Sequence, residues 1–335
     1  MPLPDSASLR LFAAAALFSL LSVTVRAQKP GACPVIPNPP TDLSVTLTLR
    51  DGQTVFQEGE IIALSVQYTT KARGKYLLSN RNYDRSGRLD GMEVFCIEPD
   101  GERDPLADYF NSYQAFVGGG LSSEQELSRS SAIEIELNEW RSLPPGSYKI
   151  SIVSNRVNLG TEKDLHSWNN DPVPLRSNPV TIRVEKAEPS WQSMQLSNAV
   201  KVLDSPITTE NQKGHAIRVL RFLGSEEATR ELVRRFLMGP QELLWDSEAG
   251  LFGSPFRADA IREMKATLNN TRGQVRKAFV DTLVNLELQS GLRNRPPQLD
   301  GKNDEVRARA FDALEVERTR RVTKYMTDAA KGKLR

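Results

Sequence analysis

The sequence predicts a protein of two structural parts, an antiparallel β-sandwich followed by an array of α-helices. Between residues 42 and 187, apolar and polar residues alternate along several short segments, which is typical of strands with one buried face. From residue 188 to residue 335, apolar residues recur every three or four positions, which is typical of helices that bury one side. The chain has 335 residues, enough for about two domains. The predicted fold class is therefore multidomain β + α.

The N-terminus has the layout of a secretory signal peptide over residues 1–27. Arg10 supplies positive charge, an apolar run follows as far as Val25, and Ala27 ends a cleavage site of short residues. The apolar run is shorter than the ~20 residues that a membrane-spanning helix needs. We therefore expect an exported protein, periplasmic or extracellular, whose mature chain has no membrane span and begins with a proline-rich leader at 28–41.

The chain has two cysteines, Cys33 in the leader and Cys96 in a predicted strand. An even number of cysteines in an exported protein suggests a disulfide, which would attach the leader to that strand. The alternative is that Cys33 carries a lipid anchor, although Pro30 stands where a lipoprotein signal has leucine. The sequence leaves both interpretations open.

Seven segments of the first part have the composition and alternation of strands. The first of them alternates Leu43, Val45 and Leu47 with hydroxyl-bearing residues. Turn residues separate most of the segments, as expected for antiparallel strands, and a long insertion at 98–131 interrupts the pattern. The predicted strands are residues 43–49, 62–68, 75–78, 92–97, 133–137, 148–153 and 180–184.

Residues 144–153 carry a pattern that resembles an immunoglobulin-like domain. A turn that includes Pro144 and Gly146 leads into a late strand. Tyr148 in that strand resembles the corner tyrosine of such domains, whose hydroxyl group hydrogen-bonds back to the preceding turn. The resemblance covers about residues 42–186 and implies an Ig-like β-sandwich, without the usual pair of cysteines between the sheets. It implies a fold and no activity.

The second part shows helix boundaries as well as helical spacing. Gly224 and Ser225 separate two helical blocks, and Ser254 followed by Pro255 has the pattern of a helix start. Residues 304–330 predict one long helix dense in charge. This helix is either the polar cap of the array or a tail that meets a partner.

The helical blocks resemble HEAT-type repeats, in which pairs of helices stack so that each pair covers the apolar face of the next. The resemblance is one of pattern and spacing, over residues 216–237 and 258–286. A signal peptide, an Ig-like sandwich and a short HEAT-like array together resemble a class of exported bacterial proteins without assigned chemistry. That resemblance implies binding or scaffolding.

Residues 82–93 match the spacing of an EF-hand calcium loop. Oxygen-bearing side chains fall at loop positions 1, 3, 5, 9 and 12, and Gly87 at position 6 allows the sharp turn. The alternative is a polar hairpin, because Arg85 and Arg88 add positive charge and the flanking residues are predicted strands. No other cofactor is indicated. The predicted Ca²⁺ ligands are Asn82, Asp84, Ser86, Asp90 and Glu93.

Several aromatic residues lie close together in the long insertion. Such side chains could stack on a sugar ring or a peptide, and Trp140 or Trp168 could extend that surface. The alternative is that they cap the open end of the sandwich or pack within the loop. The candidate binding residues are Tyr109, Phe110, Tyr113 and Phe116.

Catalysis finds little support in the sequence. The two histidines, His166 and His215, have no motif around them that would place a nucleophile. No P-loop, His-Glu-x-x-His or Gly-x-Ser-x-Gly pattern occurs. The paired carboxylates of a glycoside hydrolase stay open, because their pairing is spatial. We therefore predict a non-enzymatic protein.

The charge of the chain gives no reason to expect a nucleic-acid partner. The formal net charge is only +2, and so small an excess does not select for an acidic polymer. Basic and acidic residues are interleaved on the predicted helices, which indicates solvated helix faces. The basic residues concerned are Arg218, Arg221, Arg230, Arg234, Arg235, Arg272, Arg276 and Lys277.

Taken together, the sequence favours an exported binding or scaffold protein. It would engage a protein partner through the helical array or through the groove where the two parts meet. The alternative is a carbohydrate-binding protein that binds polysaccharide through the aromatic insertion. A third hypothesis is a hydrolase whose catalytic groups come together only in the fold.

Overall fold

The structure is a computed structural model in which strands come first and helices follow. A β-rich region precedes seven helices in the described residues, so the predicted order of strands and then helices is confirmed. The predicted signal peptide at 1–27 lies outside the described residues. The structure describes residues 33–81, 92–100, 103–107, 124–160, 172–240, 243–270, 275–291 and 304–330.

The described part of the β region contains eleven strands and two short 3-10 helices, η1 and η2. All seven predicted segments form strands, with bounds shifted by a few residues at most. Four strands of two or three residues were missed, because alternation cannot be recognised in so few positions. The elements are β1 (Leu43–Leu49), η1 (Arg50–Gly52), β2 (Val55–Gln57), β3 (Ala63–Thr70), β4 (Tyr76–Ser79), β5 (Glu93–Glu98), β6 (Glu124–Glu126), β7 (Ser130–Glu136), η2 (Leu137–Glu139), β8 (Gly146–Ser154), β9 (Val157–Leu159), β10 (Leu175–Arg176) and β11 (Val180–Glu185).

The strands form three sheets. Two of them have three strands each, in the orders β1-β3-β7 and β6-β4-β9. The largest has the order β10-β8-β11-β2, and β5 also pairs with β8. All of these pairs are antiparallel except β2 with β11, so the purely antiparallel prediction is wrong for this pair. The reason is that β2 joins a sheet edge formed by β11, the last strand of the region, and runs in the same direction.

The buried faces of these strands share one core. Leu47, Leu64 and Val66 are completely buried, as their alternation with polar residues predicts. The register places Leu47 opposite Val66, and Val66 opposite Ile133 of β7. Full burial of an aliphatic side chain of this size stabilises the fold by about 1.5–3 kcal/mol.

A buried ion pair lies inside the β region. The side chains of Arg156, between β8 and β9, and Glu93, in β5, are 1% and 0% exposed. Two nitrogen atoms of Arg156 donate to the two carboxylate oxygens of Glu93, the second at 3.0 Å. Arg156 also donates to the carbonyl oxygen of Ser79 at 3.3 Å. Burial raises the pKa of the Glu93 carboxyl group, and the positive charge of Arg156 opposes this effect.

The turn before β8 is held by a tyrosine. The hydroxyl group of Tyr148 donates to the carbonyl oxygen of Pro144 at 2.8 Å, which confirms the hydrogen bond predicted for this residue. A Cβ atom at Gly146 would lie 3.2 Å from the same hydroxyl oxygen. A residue larger than glycine at this position would therefore push against the tyrosine.

Seven helices follow β11 in the part of the chain that is described. The long helix expected at 304–330 is present with the same bounds. The helices are α1 (Pro189–Asp204), α2 (Glu210–Leu223), α3 (Glu226–Met238), α4 (Leu244–Gly253), α5 (Arg257–Asn270), α6 (Lys277–Gly291) and α7 (Asp304–Ala330).

The expected break between α2 and α3 is confirmed, and local hydrogen bonds explain it. Thr209 and Gln212 form a reciprocal capping box at the start of α2. Gly224 ends α2 with a φ of 60°, a left-handed conformation that glycine adopts without strain. The side chain of Ser225 then accepts a hydrogen bond from the amide of Ala228 at 3.2 Å and starts α3.

Helix α4 was not predicted from the sequence. Neighbouring helices cover several of its faces, and its polar residues such as Asp246 are themselves partly buried, so its sequence shows no clear amphipathic pattern. Gly250 lies at its closest contact, where a Cβ atom would approach the Cδ1 atom of Leu232 to 2.7 Å. The buried residues of α4 are Ser247, Ala249, Gly250, Leu251 and Phe252.

Candidate functional site

The β region and the helical region meet at a tight turn. Gly59, in the turn between β2 and β3, has a φ of 87°. A Cβ atom at this position would lie 2.8 Å from the carbonyl oxygen of Phe222 and 3.2 Å from the Cα atom of Leu223, at the end of α2. Both the conformation and the space therefore require glycine.

Ion pairs connect α2 to the β region beside this turn. Arg221 lies 2.7 Å from Glu139 in η2 and 3.2 Å from Asp246 in α4. One turn earlier in α2, Arg218 lies 2.8 Å from Glu136 at the end of β7. We call these five residues the interface ion-pair cluster. The cluster connects α2 to the β region and, through Asp246, to helix α4.

The carboxyl groups of the interface ion-pair cluster are poorly hydrated. The side chain of Arg221 is only 2% exposed, and those of Glu139 and Asp246 are 16% exposed. Burial raises the pKa of the Glu139 carboxyl group and that of Asp246, and the charge of Arg221 counteracts the rise in both. The cluster thus contains three acidic groups and two guanidinium groups in a partly dehydrated place.

The prediction that all the basic helix residues lie on solvated faces is wrong for Arg221, and also for Arg235, whose side chain is only 11% exposed. The sequence contains a signal for the burial of Arg221, since this residue follows the buried Ile217 by four residues and therefore lies on the same side of the helix. The interleaved acidic residues hid this signal. Elsewhere the interleaving does form ion pairs along one helix, as between Arg234 and Glu231 at 2.6 Å.

A cleft of about 470 Å³ with a mixed polar and apolar lining opens next to the tight turn. Asn138 lines the cleft and is held by two hydrogen bonds. Its amide oxygen accepts from the backbone N–H of Ile62 at 2.7 Å, and its amide nitrogen donates to the carbonyl oxygen of Glu60 at 2.9 Å. The cleft has a volume typical of small-ligand sites. Its other lining residues include Gln57, Glu58, Arg103, Ser142, Gln192, Arg221 and Gly253.

A second depression, the α1–α2 groove, lies between the first two helices and has a volume of about 430 Å³. Its lining residues recur every three or four positions on each helix, so one stripe of each helix faces the groove. The floor is apolar, and the exposed rim carries amide side chains and a histidine. The lining residues are Gln195, Asn198, Ala199, Val202, Asn211, Gln212, His215, Ala216 and Val219.

A recess of about 300 Å³, lined by residues of the first two helices and of the β region, adjoins the α1–α2 groove. Gln195, His215 and Val219 line both depressions, so the two adjoin. Charged groups distinguish the recess from the groove. The charged residues that line the recess are Arg50, Asp51, Glu60 and Glu136.

The start of the long insertion packs against the helical region. Leu106 is completely buried in the helical core, and Arg103 forms a β-bridge with Ser142. Nothing in the sequence pattern indicated that this segment crosses between the two regions. The aromatic candidates farther along, Tyr109, Phe110, Tyr113 and Phe116, lie outside the described residues.

The calcium prediction is untested for most of its ligands. Asn82, Asp84, Ser86 and Asp90 lie outside the described residues. Glu93, the proposed last ligand, is in β5, with both carboxylate oxygens bound to Arg156. No group of three or more His, Cys, Asp or Glu side chains in the described part of the chain could hold a metal ion.

The remaining candidate residues are placed as follows. Cys33 and Cys96 form a disulfide, with their Cα atoms 5.2 Å apart, which attaches the leader to β5. Trp140 packs against Phe95 in the β core, with ring centroids 5.5 Å apart. His215 lies on α2 at the rim of the α1–α2 groove, and the structure does not describe His166 or Trp168.

Comparisons with known proteins give no family assignment. No model of a known protein family matches the sequence, and no curated protein matches it. Among the helices of the described residues, none is both long and apolar enough to cross a membrane.

Proposed function

We propose that this chain is an exported, non-enzymatic scaffold protein that binds a protein partner through its first helical pair and the adjoining part of the β region. The observation that carries the proposal is the pair of adjoining depressions, the α1–α2 groove and the recess. Concave surfaces with an apolar floor and a few polar groups are the usual form of binding sites.

The architecture is consistent with this role. We interpret the helical region as a short HEAT-like array, whose first pair, α1 and α2, carries a polar rim on its outer side, as terminal repeats do. We interpret the β region as an Ig-like sandwich, and the bond from Tyr148 to Pro144 supports this. The disulfide between Cys33 and Cys96 suits the oxidising compartment that export implies.

The interface ion-pair cluster would keep the binding surface in one shape. Helix α2 supplies one wall of the α1–α2 groove and also carries Arg218 and Arg221. A partner that contacts both regions benefits from this fixed arrangement, because less conformational freedom is lost on binding.

Affinity capture with the mature chain from Gln28 onward tests the proposal. The bait is compared with a Val202→Arg variant, which places a charge in the α1–α2 groove, and with an Asn269→Ala control on the exposed end of α5. A partner in cell-envelope extract should be retained by the wild type and the control and lost from Val202→Arg. Retention of polysaccharide with no protein would refute the proposal and favour the carbohydrate-binding alternative.

A further inference from the structure

The α1–α2 groove differs from the rest of the helical surface in its charge. Its lining contains no Asp, Glu, Lys or Arg residue, whereas charged residues make up 26% of the chain. A groove between α3 and α5 shows the contrast, since five of its eight lining residues are charged. Placing a charged segment in the α1–α2 groove would dehydrate it without a compensating partner. The groove therefore suits an uncharged occupant.

The rim of the α1–α2 groove offers hydrogen bonds. The side chains of Gln195, Asn198 and Asn211 make no hydrogen bond or ion pair with the described residues. Each amide side chain has two N–H donors and a carbonyl acceptor, the same groups that a peptide backbone presents. An extended peptide leaves its backbone groups free for such partners, whereas a helix uses them internally.

The length of the α1–α2 groove also favours an extended occupant. The stripe on α1 runs from Gln195 to Val202, which is about 10 Å at 1.5 Å per helical residue. An extended peptide covers that length with about three residues. A docked helix would have an apolar face for only about two turns, with amide groups on its borders.

The recess at the end of the α1–α2 groove favours a positive charge. Its lining carries three carboxylates, Asp51, Glu60 and Glu136, and one guanidinium group, Arg50. Arg218 neutralises Glu136, and Arg50 lies 3.7 Å from Asp51. The negative charge of Glu60 is therefore not neutralised by any positive group of the recess. Its carboxylate oxygens accept hydrogen bonds from two uncharged donors, Gln53 Nε2 and the Gln57 amide.

We propose that the α1–α2 groove and the recess together bind a short extended peptide, with an uncharged aliphatic stretch of about three residues over the groove and a neighbouring lysine or arginine in the recess. This inference rests on the proposed function and specifies the partner segment. Asn198 and Asn211 hydrogen-bond the peptide backbone, and Val202 and Val219 contact the aliphatic side chain.

Selection from a phage library of random 12-residue peptides against the full mature chain tests the proposal. Enriched peptides should share an uncharged aliphatic stretch next to a basic residue. The strongest binder is then synthesised with a fluorescent label and titrated by anisotropy. Replacing its basic residue with glutamate should weaken binding by about tenfold. Failure to enrich any peptide, or enrichment of acidic or helical amphipathic sequences, would overturn the proposal.

Matched variants locate the binding site. The double variant Asn198→Ala and Asn211→Ala should weaken binding by about tenfold, since two hydrogen bonds are lost. The control double variant Asn269→Ala and Asn270→Ala, also at exposed helical positions, should bind like the wild type. Equal binding by the two double variants would overturn the assignment.

Two further measurements complete the test. Glu60→Gln should reduce the preference for a basic residue about threefold, while Asp312→Asn on α7 leaves it unchanged. If sedimentation shows a dimer that Val202→Arg abolishes, the occupant is a second copy and the peptide proposal is wrong. If Val202→Arg loses a captured partner yet no peptide binds, the peptide class fails and the scaffold function stands.

Discussion

Replacing Arg221 with methionine tests how strongly the interface ion-pair cluster holds the two regions together. The substitution keeps most of the apolar stem and removes the guanidinium group that lies 2.7 Å from Glu139 and 3.2 Å from Asp246. Loss of one partner of a buried ion pair costs about 3–5 kcal/mol. Because the two carboxylate side chains are 16% exposed, we expect the free energy of unfolding at pH 7 to fall by about 3 kcal/mol, the lower end of that range.

Urea unfolding, followed by tryptophan fluorescence and by circular dichroism, measures this loss. Arg230→Met on α3 is the matched control, since that arginine side chain is 51% exposed and pairs with Glu226 one turn away. Such a surface pair contributes about 0.3–0.5 kcal/mol. Arg221→Met should therefore lose several times more stability than Arg230→Met.

The loss should also depend on pH. Burial already raises the pKa values of Glu139 and Asp246, and removing Arg221, which opposes that rise, should raise them further. Both groups then take up protons at a higher pH than in the wild type, so Arg221→Met should lose less stability at pH 5 than at pH 7. Adding Glu139→Gln and Asp246→Asn should restore much of the stability at pH 7. A loss below about 1 kcal/mol at pH 7, or equal losses at both pH values, would refute the reasoning.

Three further predictions concern the stability of the chain. Gly59→Ala should lower the free energy of unfolding by about 1–3 kcal/mol, and thermal unfolding measures this loss. Gly74→Ala is the control and should lose less stability, because Gly74 has a similar φ but no atom within 4 Å of the position that a Cβ would occupy. Replacing both Cys33 and Cys96 with serine should lower the free energy of unfolding, measured with urea, by about 2–4 kcal/mol, as expected for a disulfide that closes a long loop. A variant as stable as the wild type would contradict this. Because the folded-state pKa values of Glu139 and Asp246 are raised, these two groups contribute stability below the unfolded values of about 4 and lose it as the pH rises through the raised values, so the Tm should fall as the pH is increased from about 4. A Tm that rises with pH over this range would contradict the predicted direction of the change.

The sequence predicted the strands that have a regular pattern and missed those that depend on a partner. β1 was predicted with the bounds that the structure has, because its seven residues alternate between buried and more exposed positions. β10 has two residues and exists because it pairs with the end of β8. Helix α4 was missed for a related reason, since contacts with neighbouring helices bury several of its sides and its own sequence shows no amphipathic pattern.

The interface could be predicted from the sequence only in part. Arg221 lies on the same side of α2 as the buried Ile217, four residues earlier, and this alone could have indicated a buried charge with a partner. Its partners could not be identified, since Glu139 lies in a 3-10 helix of the β region and Asp246 in a helix that had no recognisable pattern. Pairing between distant segments depends on the docking of the two regions.

Helix α2 links the stability of the interface to the shape of the proposed binding surface. Arg218 contacts the β region, while Val219, the next residue, lines both the α1–α2 groove and the recess. A displacement of α2 that breaks the contact between Arg218 and Glu136 must therefore also move one wall of the groove. Substitutions such as Asn198→Ala change the rim without touching the interface ion-pair cluster. Binding that is sensitive to both kinds of substitution would place recognition at the junction of the two regions, because a site confined to the helices has no need of Glu136.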